Sequence, residues 1–312
     1  MAKWTETDIP DQTGRTVLIT GANSGLGLRS AKVFAAKGAR VLLACRSAER
    51  GEQALRTVQT VAHTAPELIL LDLADLGSVH RAAAEARDHS GDALDVLMNN
   101  GGIMATPKRR TADGFELQFG TNHLGHAALT WQLMPALRRG TNARVVTLTS
   151  FAATGAKIDL ADPNYEHRRY NPATAYGQSK LANQVFALEL DRRLRAAGED
   201  VVSVAAAPGY TVTNLEANMA KTYPGLLGPL IAGTSKLGDL LIAQDVRMGA
   251  LPQLYAATAA GVNGGDYLAP GGLQLRGYPR IVKPLAAALD RATGAGLWEL
   301  TAKLTGVTPD PA

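Results

Sequence analysis

Arg15-Thr16-Val17-Leu18-Ile19-Thr20-Gly21-Ala22-Asn23-Ser24-Gly25-Leu26-Gly27 is the stretch on which the fold turns. Its first half is a short apolar, β-branched run, expected as a buried strand over 16–20. Its second half is a Gly-x-x-x-Gly-x-Gly loop that opens a helical pattern over 25–37. Such a loop lets backbone amides approach a pyrophosphate at the helix N-terminus. The positions concerned are Gly21, Asn23, Ser24, Gly25, Leu26 and Gly27. The spacing departs from the usual dinucleotide fingerprint, so a purely structural turn stays open, but the strand before it and helix after it are the confirming context. No Gly-Lys-Ser/Thr follows, which argues against a nucleoside-triphosphate loop.

The same alternation continues outward. Strand-like runs recur at 40–44, 67–71, 94–98, 144–149, 201–206 and 266–268. Helical patterns lie between them at 48–61, 75–89, 113–138, 174–197 and 245–259. Runs without polar alternation, such as Leu68-Ile69-Leu70-Leu71, suit a parallel sheet covered on both faces. The expected architecture is α/β, a Rossmann-type doubly wound parallel sheet of about seven strands with helices on both faces. One domain is expected to span 1–312, with no repeat or low-complexity linker dividing it. Two long connections interrupt the rhythm, 151–173 and 210–244. The second mixes Gly225, Gly228, Pro229, Gly233 and Gly238 with leucines and isoleucines. It reads as a substrate lid or as a surface helix pair. The tail from about 271 to 312 is apolar and helical in pattern.

Composition excludes several classes. The 312 residues are 46% hydrophobic and 19% charged, an ordinary globular balance able to bury a core. A single cysteine, Cys45, allows neither an intrachain disulfide nor a cysteine metal cage and suits a reducing cytoplasm. The first residues, Met1 to Asp8, lack the apolar core of a signal peptide. No run approaches the ~18 apolar residues of a membrane helix. A soluble, cytoplasmic chain is therefore expected. Net charge is +4, with a sequence pI near 9.2. The basic clusters (Lys108-Arg109-Arg110, Arg138-Arg139, Arg168-Arg169, Arg192-Arg193-Leu194-Arg195) are short and lack interleaved aromatics, so they read as solvated surface and not as a nucleic-acid footprint. His123 and His126 stand at i and i+3, but a metal site needs further ligands that the sequence does not supply. No metal is expected.

Chemistry gathers at strand ends and on one helix. The second strand ends Ala44-Cys45-Arg46-Ser47. An acidic residue here would accept bonds from the ribose hydroxyls of NAD; Cys45 stands in its place, and the Arg46 guanidinium suits a 2′-phosphate. NADP(H) is thus favoured over NAD(H), with a surface arginine as the plainer reading. Asp72-Leu73 follows the third strand, where the aspartate either bonds adenine or caps its turn. Asn99-Asn100-Gly101-Gly102 after the fourth is turn chemistry in any fold. Tyr176-Gly177-Gln178-Ser179-Lys180 places a phenol and an ammonium at i and i+4 on one helix face. A neighbouring cation favours the ionised phenol, so Lys180 is expected to lower the Tyr176 pKa from its usual ~10.

Taken in this order, the motifs resemble the short-chain dehydrogenase/reductase family in its single-domain form, over roughly residues 14–270. The resemblance implies that Gly21, Gly25 and Gly27 form the cofactor loop and that Asp72-Leu73 contacts adenine. It makes Asn99-Asn100-Gly101-Gly102 the sheet-stabilising motif, with Asn99 and Gly101 at the cofactor and Gly101 where alanine is usual. It implies catalysis by Ser150, Tyr176 and Lys180, and a proton-relay water held by Asn122. Pro208, Gly209, Thr211 and Thr213 would cover the nicotinamide carboxamide. Tyr165 and Tyr170 lack a lysine at i+4 and are set aside. Hydride transfer to a carbonyl builds charge on oxygen, which Ser150 would stabilise and Tyr176 would protonate. Leu43-Ala44-Cys45-Arg46-Ser47, Thr121-Asn122-His123-Leu124-Gly125-His126 and the long interval from Ser150 to Tyr176 look like the retinol dehydrogenase and protochlorophyllide reductase branch. That branch implies a small apolar carbonyl or alcohol substrate. Helices 113–138 and 174–197 form a dimer interface in much of the family, while monomers occur in this branch; homodimer and monomer both stay open. A non-catalytic NADP(H)-binding regulatory protein and a nucleotide-sugar epimerase are the competing readings. The first usually loses the serine, tyrosine or lysine, and the second has a different glycine spacing.

Overall fold

The computed structural model describes residues 3–211 and 244–312. Its centre is an eight-stranded sheet in the order β3-β2-β1-β4-β5-β6-β7-β8. The strands are β1 (Thr16–Thr20), β2 (Arg40–Cys45), β3 (Glu67–Leu70), β4 (Val96–Asn99), β5 (Arg144–Leu148), β6 (Val202–Ala206), β7 (Tyr267–Gly272) and β8 (Arg276–Val282). All neighbours pair in parallel except β7 and β8, which are antiparallel. Alternating residues of each central strand face opposite layers. Leu18, Leu42 and Ala44 enter one apolar cluster, while Val17, Ile19, Val41, Leu43 and Cys45 enter the other. Burial on both faces is why these strands read as unbroken apolar runs.

Helices α1 (Gly25–Ala36) and α2 (Ala48–Gln59) cover one face together with α6 (Val246–Thr258). The other face is covered by α3 (Leu76–His89), α4 (Gly125–Arg139) and α5 (Pro172–Ala196). The chain leaves β1 towards β2 and β3, then returns to the other side of β1 as β4. Loops diverge at this switch point, and open α/β sheets bind ligands there.

Two elements differ from expectation. The tail is not wholly helical. Residues 276–282 form β8, an eighth strand, after a turn in which Leu273 and Gln274 take φ +52° and +62°. That turn lacks the Asn-Gly signature of a two-residue hairpin, so a helical period was the stronger local signal. The rest of the tail does contain a helix, α7 (Arg291–Thr305), and it packs on α4 and α5. Trp298 stacks on Phe186 with ring centres 5.6 Å apart and meets Trp131 edge-on at 4.8 Å. The expected helix over 113–138 is also broken. It begins as a helical turn at Leu117–Phe119, widens into a π-helical turn at Gly120–Leu124, and only then becomes α4.

The long connection 151–173 is tied down along its length. The single Tyr170 hydroxyl proton is shared between the Thr106 carbonyl (2.9 Å) and the Glu116 carboxylate (3.1 Å), and the oxygen accepts from the Gln118 amide. Lys108 donates to the Tyr165 carbonyl (2.6 Å), and the Arg168 guanidinium lies 3.7 Å over the Tyr165 ring. Glu116 is buried, which raises its carboxyl pKa, and its oxygens also accept the amides of Gln118 and Phe119. This explains the two tyrosines set aside above: both are structural. The other connection, the expected lid at 210–244, falls almost entirely outside the described residues.

Candidate active site

Gly21, in the loop before α1, has φ +65°, and Gly25, the first residue of α1, has φ +52°. A methyl group on Gly27 would sit 2.4 Å from the Gly21 carbonyl oxygen and 2.6 Å from the Asn100 amide nitrogen, so only glycine fits. Ser24, at the helix N-cap, makes no side-chain capping bond, and the first turn carries no acidic residue. The leading amides of α1 thus lack the usual side-chain acceptor, an arrangement that fits an anionic pyrophosphate. Asn23 and Leu26 lie in the same loop, both half-buried.

At the end of β2, Cys45 is 1% exposed, and burial pushes its thiol up to about 11. It is a neutral, closed position. Arg46 beside it is exposed and makes no ion pair among the described residues. At the end of β3, Asp72 accepts the Ala74 amide (3.0 Å), the turn-capping alternative. Leu73 is buried, and its Cδ1 would lie 2.9 Å from a methyl on Gly101. Leu73 fills the space an alanine there would need. The side chain of Asn99 faces inward. It is fully buried and donates to Thr130 (2.9 Å) and Thr147 (3.4 Å), bridging β4 to α4 and β5.

Ser150 follows β5 and starts a short 3₁₀ turn, Phe151–Ala153, by accepting the Ala152 amide (3.2 Å). Tyr176 and Lys180 sit on α5. That helix starts cleanly because Asn171 caps the Thr174 amide and Pro172 occupies the first turn. Thr149 anchors it to β5 by donating to the Lys180 carbonyl (2.6 Å). The result brings the Ser150 hydroxyl beside the Tyr176 hydroxyl, where it holds the phenol pKa down against burial. Asn122, in the π-helical turn, is fully buried. Its side chain accepts from the Ile103 amide and donates to the Ile103 carbonyl and the Ser179 hydroxyl, each at 2.9 Å. A methyl on Gly102 would lie 3.0 Å from Asn122 Oδ1 and 3.5 Å from Lys180 Nζ, so the two side chains flank one point. Single π-helical turns are frequent at functional sites.

Electrostatics correct one expectation. Lys180 does not lower the Tyr176 pKa here. Burial pushes the phenol up to about 12, opposed only by the Ser150 hydroxyl, while burial pushes Lys180 down to about 8. The ammonium is 5.8 Å from the centre of the phenol ring and donates to the Leu148 carbonyl at 3.3 Å. Desolvation outweighs Coulombic help at that separation. Lys180 has three donors and one long bond among the described residues, leaving capacity for a ribose hydroxyl.

Pro208 and Gly209 follow β6. The Pro208 carbonyl accepts from Thr211 (3.1 Å) and Gln244 (2.7 Å), which holds this loop near the β7–β8 turn. Thr213 lies outside the described residues. His123 and His126 are fully buried, pushed down to about 3 and about 4 by burial, and bonded to Thr301 and to Thr20 and Asn122. Among the described residues no group of three histidine, cysteine or carboxylate side chains could hold a metal, and no helix is long and apolar enough to cross a membrane. Basic clusters are largely matched: Arg192, Arg193 and Arg195 pair with Glu189 and Asp191, Arg138 with Glu199 and Asp310, and Arg110 with Glu166.

Comparison with known proteins gives a consistent answer. The family described as short chain dehydrogenase matches residues 15–224. Human retinol dehydrogenase 13 is 36% identical over 94% of this chain and 85% of its own length. Mouse polyprenol dehydrogenase is 35% identical over 96% of this chain and 86% of its own. A crystal structure of an uncharacterized protein from Mycobacterium Paratuberculosis superposes with a TM-score of 0.80 at 42% identity, covering 98% of each chain.

Proposed function

Because this chain belongs to the short-chain dehydrogenase/reductase family, and is therefore a nicotinamide-dependent oxidoreductase, we propose that it transfers hydride between NADP(H) and the carbonyl or alcohol carbon of an apolar substrate. The observation that carries this reading is the meeting of the buried Tyr176 hydroxyl with the half-buried Ser150, with Lys180 Nζ 5.8 Å from the centre of the phenol ring. A neutral phenol beside a hydroxyl is what a developing alkoxide needs.

The nicotinamide cofactor supplies or accepts the hydride when bound. Everything else is the work of the chain's own residues. Gly21, Asn23, Ser24, Gly25, Leu26 and Gly27 would hold the pyrophosphate, Arg46 would take the 2′-phosphate, and Asp72, Leu73 and Gly101 would border the adenosine. Lys180 would hold the ribose, and Pro208, Gly209 and Thr211 the carboxamide. In reduction, Ser150 donates to the substrate oxygen and Tyr176 Oη transfers its proton to it. Asn122 stands next to Lys180 and orders the path by which that proton is replaced from water. In oxidation the same protons move in reverse.

Preference for NADP(H) rests on the absence of a carboxylate at Cys45 and on the exposed Arg46. An apolar substrate is supported by Phe151, 45% exposed beside Ser150, and by relatives named for retinol and polyprenol. The single buried cysteine suits a reducing cytoplasm. Since α7 covers α4 and α5 from within the chain, the reading includes a monomer. The test is a panel of apolar aldehydes, ketones and alcohols with NADPH, NADH and their oxidised forms, read by nicotinamide absorbance. Turnover of NADPH with apolar carbonyls is expected. Binding of NADPH with no turnover across the panel would favour the regulatory protein instead.

A further inference from the structure

His126 is 1% exposed, at the start of α4, and nothing in the reaction above uses it. Both of its nitrogens are engaged. Nδ1 lies 2.9 Å from the main-chain carbonyl oxygen of Asn122, and Nε2 lies 2.8 Å from Thr20 Oγ1. A carbonyl can only accept, so Nδ1 carries the proton. Burial keeps the ring neutral, holding its pKa down to about 4. Nε2 is therefore the acceptor, and the Thr20 hydroxyl donates to it. That leaves Thr20 Oγ1 free to accept, and it takes the amides of Asn100 (2.9 Å) and Gly101 (2.8 Å). The Asn100 amide side chain in turn donates to the Thr20 carbonyl at 2.8 Å.

The Thr20 hydroxyl also lies 3.4 Å from the Met98 carbonyl, but its contact with the imidazole is the shorter, which gives the chain of bonds one favoured direction. It begins at the turn after β4, which supports the glycine loop, and passes through Thr20 at the end of β1. It then crosses the imidazole and ends on the backbone of Asn122. The far side of Asn122 is held independently, by Ile103 and Ser179. Removing the imidazole would take one partner from the Asn122 carbonyl and leave the Thr20 hydroxyl only the longer contact with the Met98 carbonyl.

We propose that His126 is a positioning residue: its ring is a rigid strut that sets the distance between the cofactor-binding floor at Thr20, Asn100 and Gly101 and the backbone of Asn122 beside Lys180. The assignment rests on the functional reading above. It requires a side chain that donates at one edge and accepts at the other across the width of a ring. Glutamine meets both demands, asparagine is too short to reach Thr20 while keeping Asn122, and valine at position 20 removes the partner hydroxyl.

The experiment compares His126→Gln, His126→Asn, Thr20→Val and the double variant Thr20→Val/His126→Asn. Readouts are NADPH dissociation constant by nucleotide fluorescence, kcat and substrate KM, and melting temperature. His126→Asn and Thr20→Val should each lower kcat by about tenfold and raise the NADPH constant about threefold, the scale of a hydrogen bond or two, with substrate KM unchanged. His126→Gln should recover kcat to within about threefold of the parent, and the double variant should be no worse than either single change. Losses that multiply, a glutamine as poor as asparagine, or an unaffected Thr20→Val would overturn the strut. If His126→Asn does not fold, Thr20→Val and His126→Gln still decide it. Nitrogen-15 imidazole spectra of the parent provide a readout independent of turnover: the Nδ1-protonated tautomer is expected, and the Nε2-protonated one overturns the proposal. A parent that shows this tautomer but neither binds nor oxidises NADPH would sink the functional reading alone.

Discussion

Lys180 Nζ lies 5.8 Å from the centre of the Tyr176 ring and bonds the Leu148 carbonyl, not the phenol. The pair that sequence places one helical turn apart is thus arranged side by side, with its charge aimed at the strand end. Burial holds Tyr176 protonated, up to about 12, and makes Lys180 easier to discharge, down to about 8. A protonated phenol is the form that donates to an alkoxide, the proton transfer that the proposed reduction requires.

Tyr176→Phe should lower kcat by about 10²–10⁴-fold, the usual range for a general acid, with little change in NADPH binding. Tyr170→Phe should do the reverse. It loses bonds to Thr106, Glu116 and Gln118 in a half-buried site, costing about 1–3 kcal/mol of stability while leaving proton transfer intact. Denaturant midpoints and steady-state kinetics on both variants separate the roles. A Tyr176→Phe enzyme that still reduces substrate at the parental rate excludes the phenol as the acid.

The pH profile of kcat/KM for reduction should fall as pH rises through about 8, where free-enzyme Lys180 loses its proton. Stability moves the other way over the same interval. The lysine pKa is lower folded than its usual 10.5, so the unfolded chain binds more protons between about 8 and 10.5, and stability rises there with pH. A rate profile flat from pH 7 to about 10 would remove Lys180 from the mechanism.

Acid should destabilise the fold well above the carboxylate range. His123 and His126 are held down to about 3 and about 4, against an ordinary 6.5, so the unfolded state binds more protons at pH 5 and stability falls as pH drops below about 6.5. Each histidine contributes at most roughly 2 kcal/mol of loss at pH 5. Glu116, raised by burial, works against this trend. Urea titrations at pH 7 and 5 on the parent and on His123→Gln measure the histidine part; a variant whose midpoint falls as much as the parent's would remove His123 from the effect.

Arg46→Ala should raise the NADPH dissociation constant by about 10–100-fold, the scale of a lost charge-assisted bond, and leave NADH binding nearly unchanged. Fluorescence titration with both nucleotides checks this. An equal loss for both would place Arg46 elsewhere on the cofactor.

Trp298→Ala should cost about 3–5 kcal/mol. The side chain is 3% exposed between Trp131, Phe186 and the Arg193 guanidinium. Light scattering of the parent should report a monomer, since this helix already covers α4 and α5. A parental dimer that survives at low concentration would contradict that reading.

Sequence alone determined what depends on near neighbours along the chain. A strand–glycine–helix order is written in residues 16–27, the parallel sheet in apolar runs such as 40–45, and the shared helix face of Tyr176 and Lys180 in their spacing. Backbone sterics and helical period act over a few residues, so these were legible. Tertiary structure decided what depends on which distant groups meet and how much water they exclude. It turned the expected drop in the Tyr176 pKa into a rise, because desolvation is set by everything packed around the ring. It sent the Asn99 side chain inward, made 276–282 a strand by supplying β7 as its partner, and laid α7 against α4 and α5. It also joined His126 to Thr20, 106 positions away, a contact no local pattern contains.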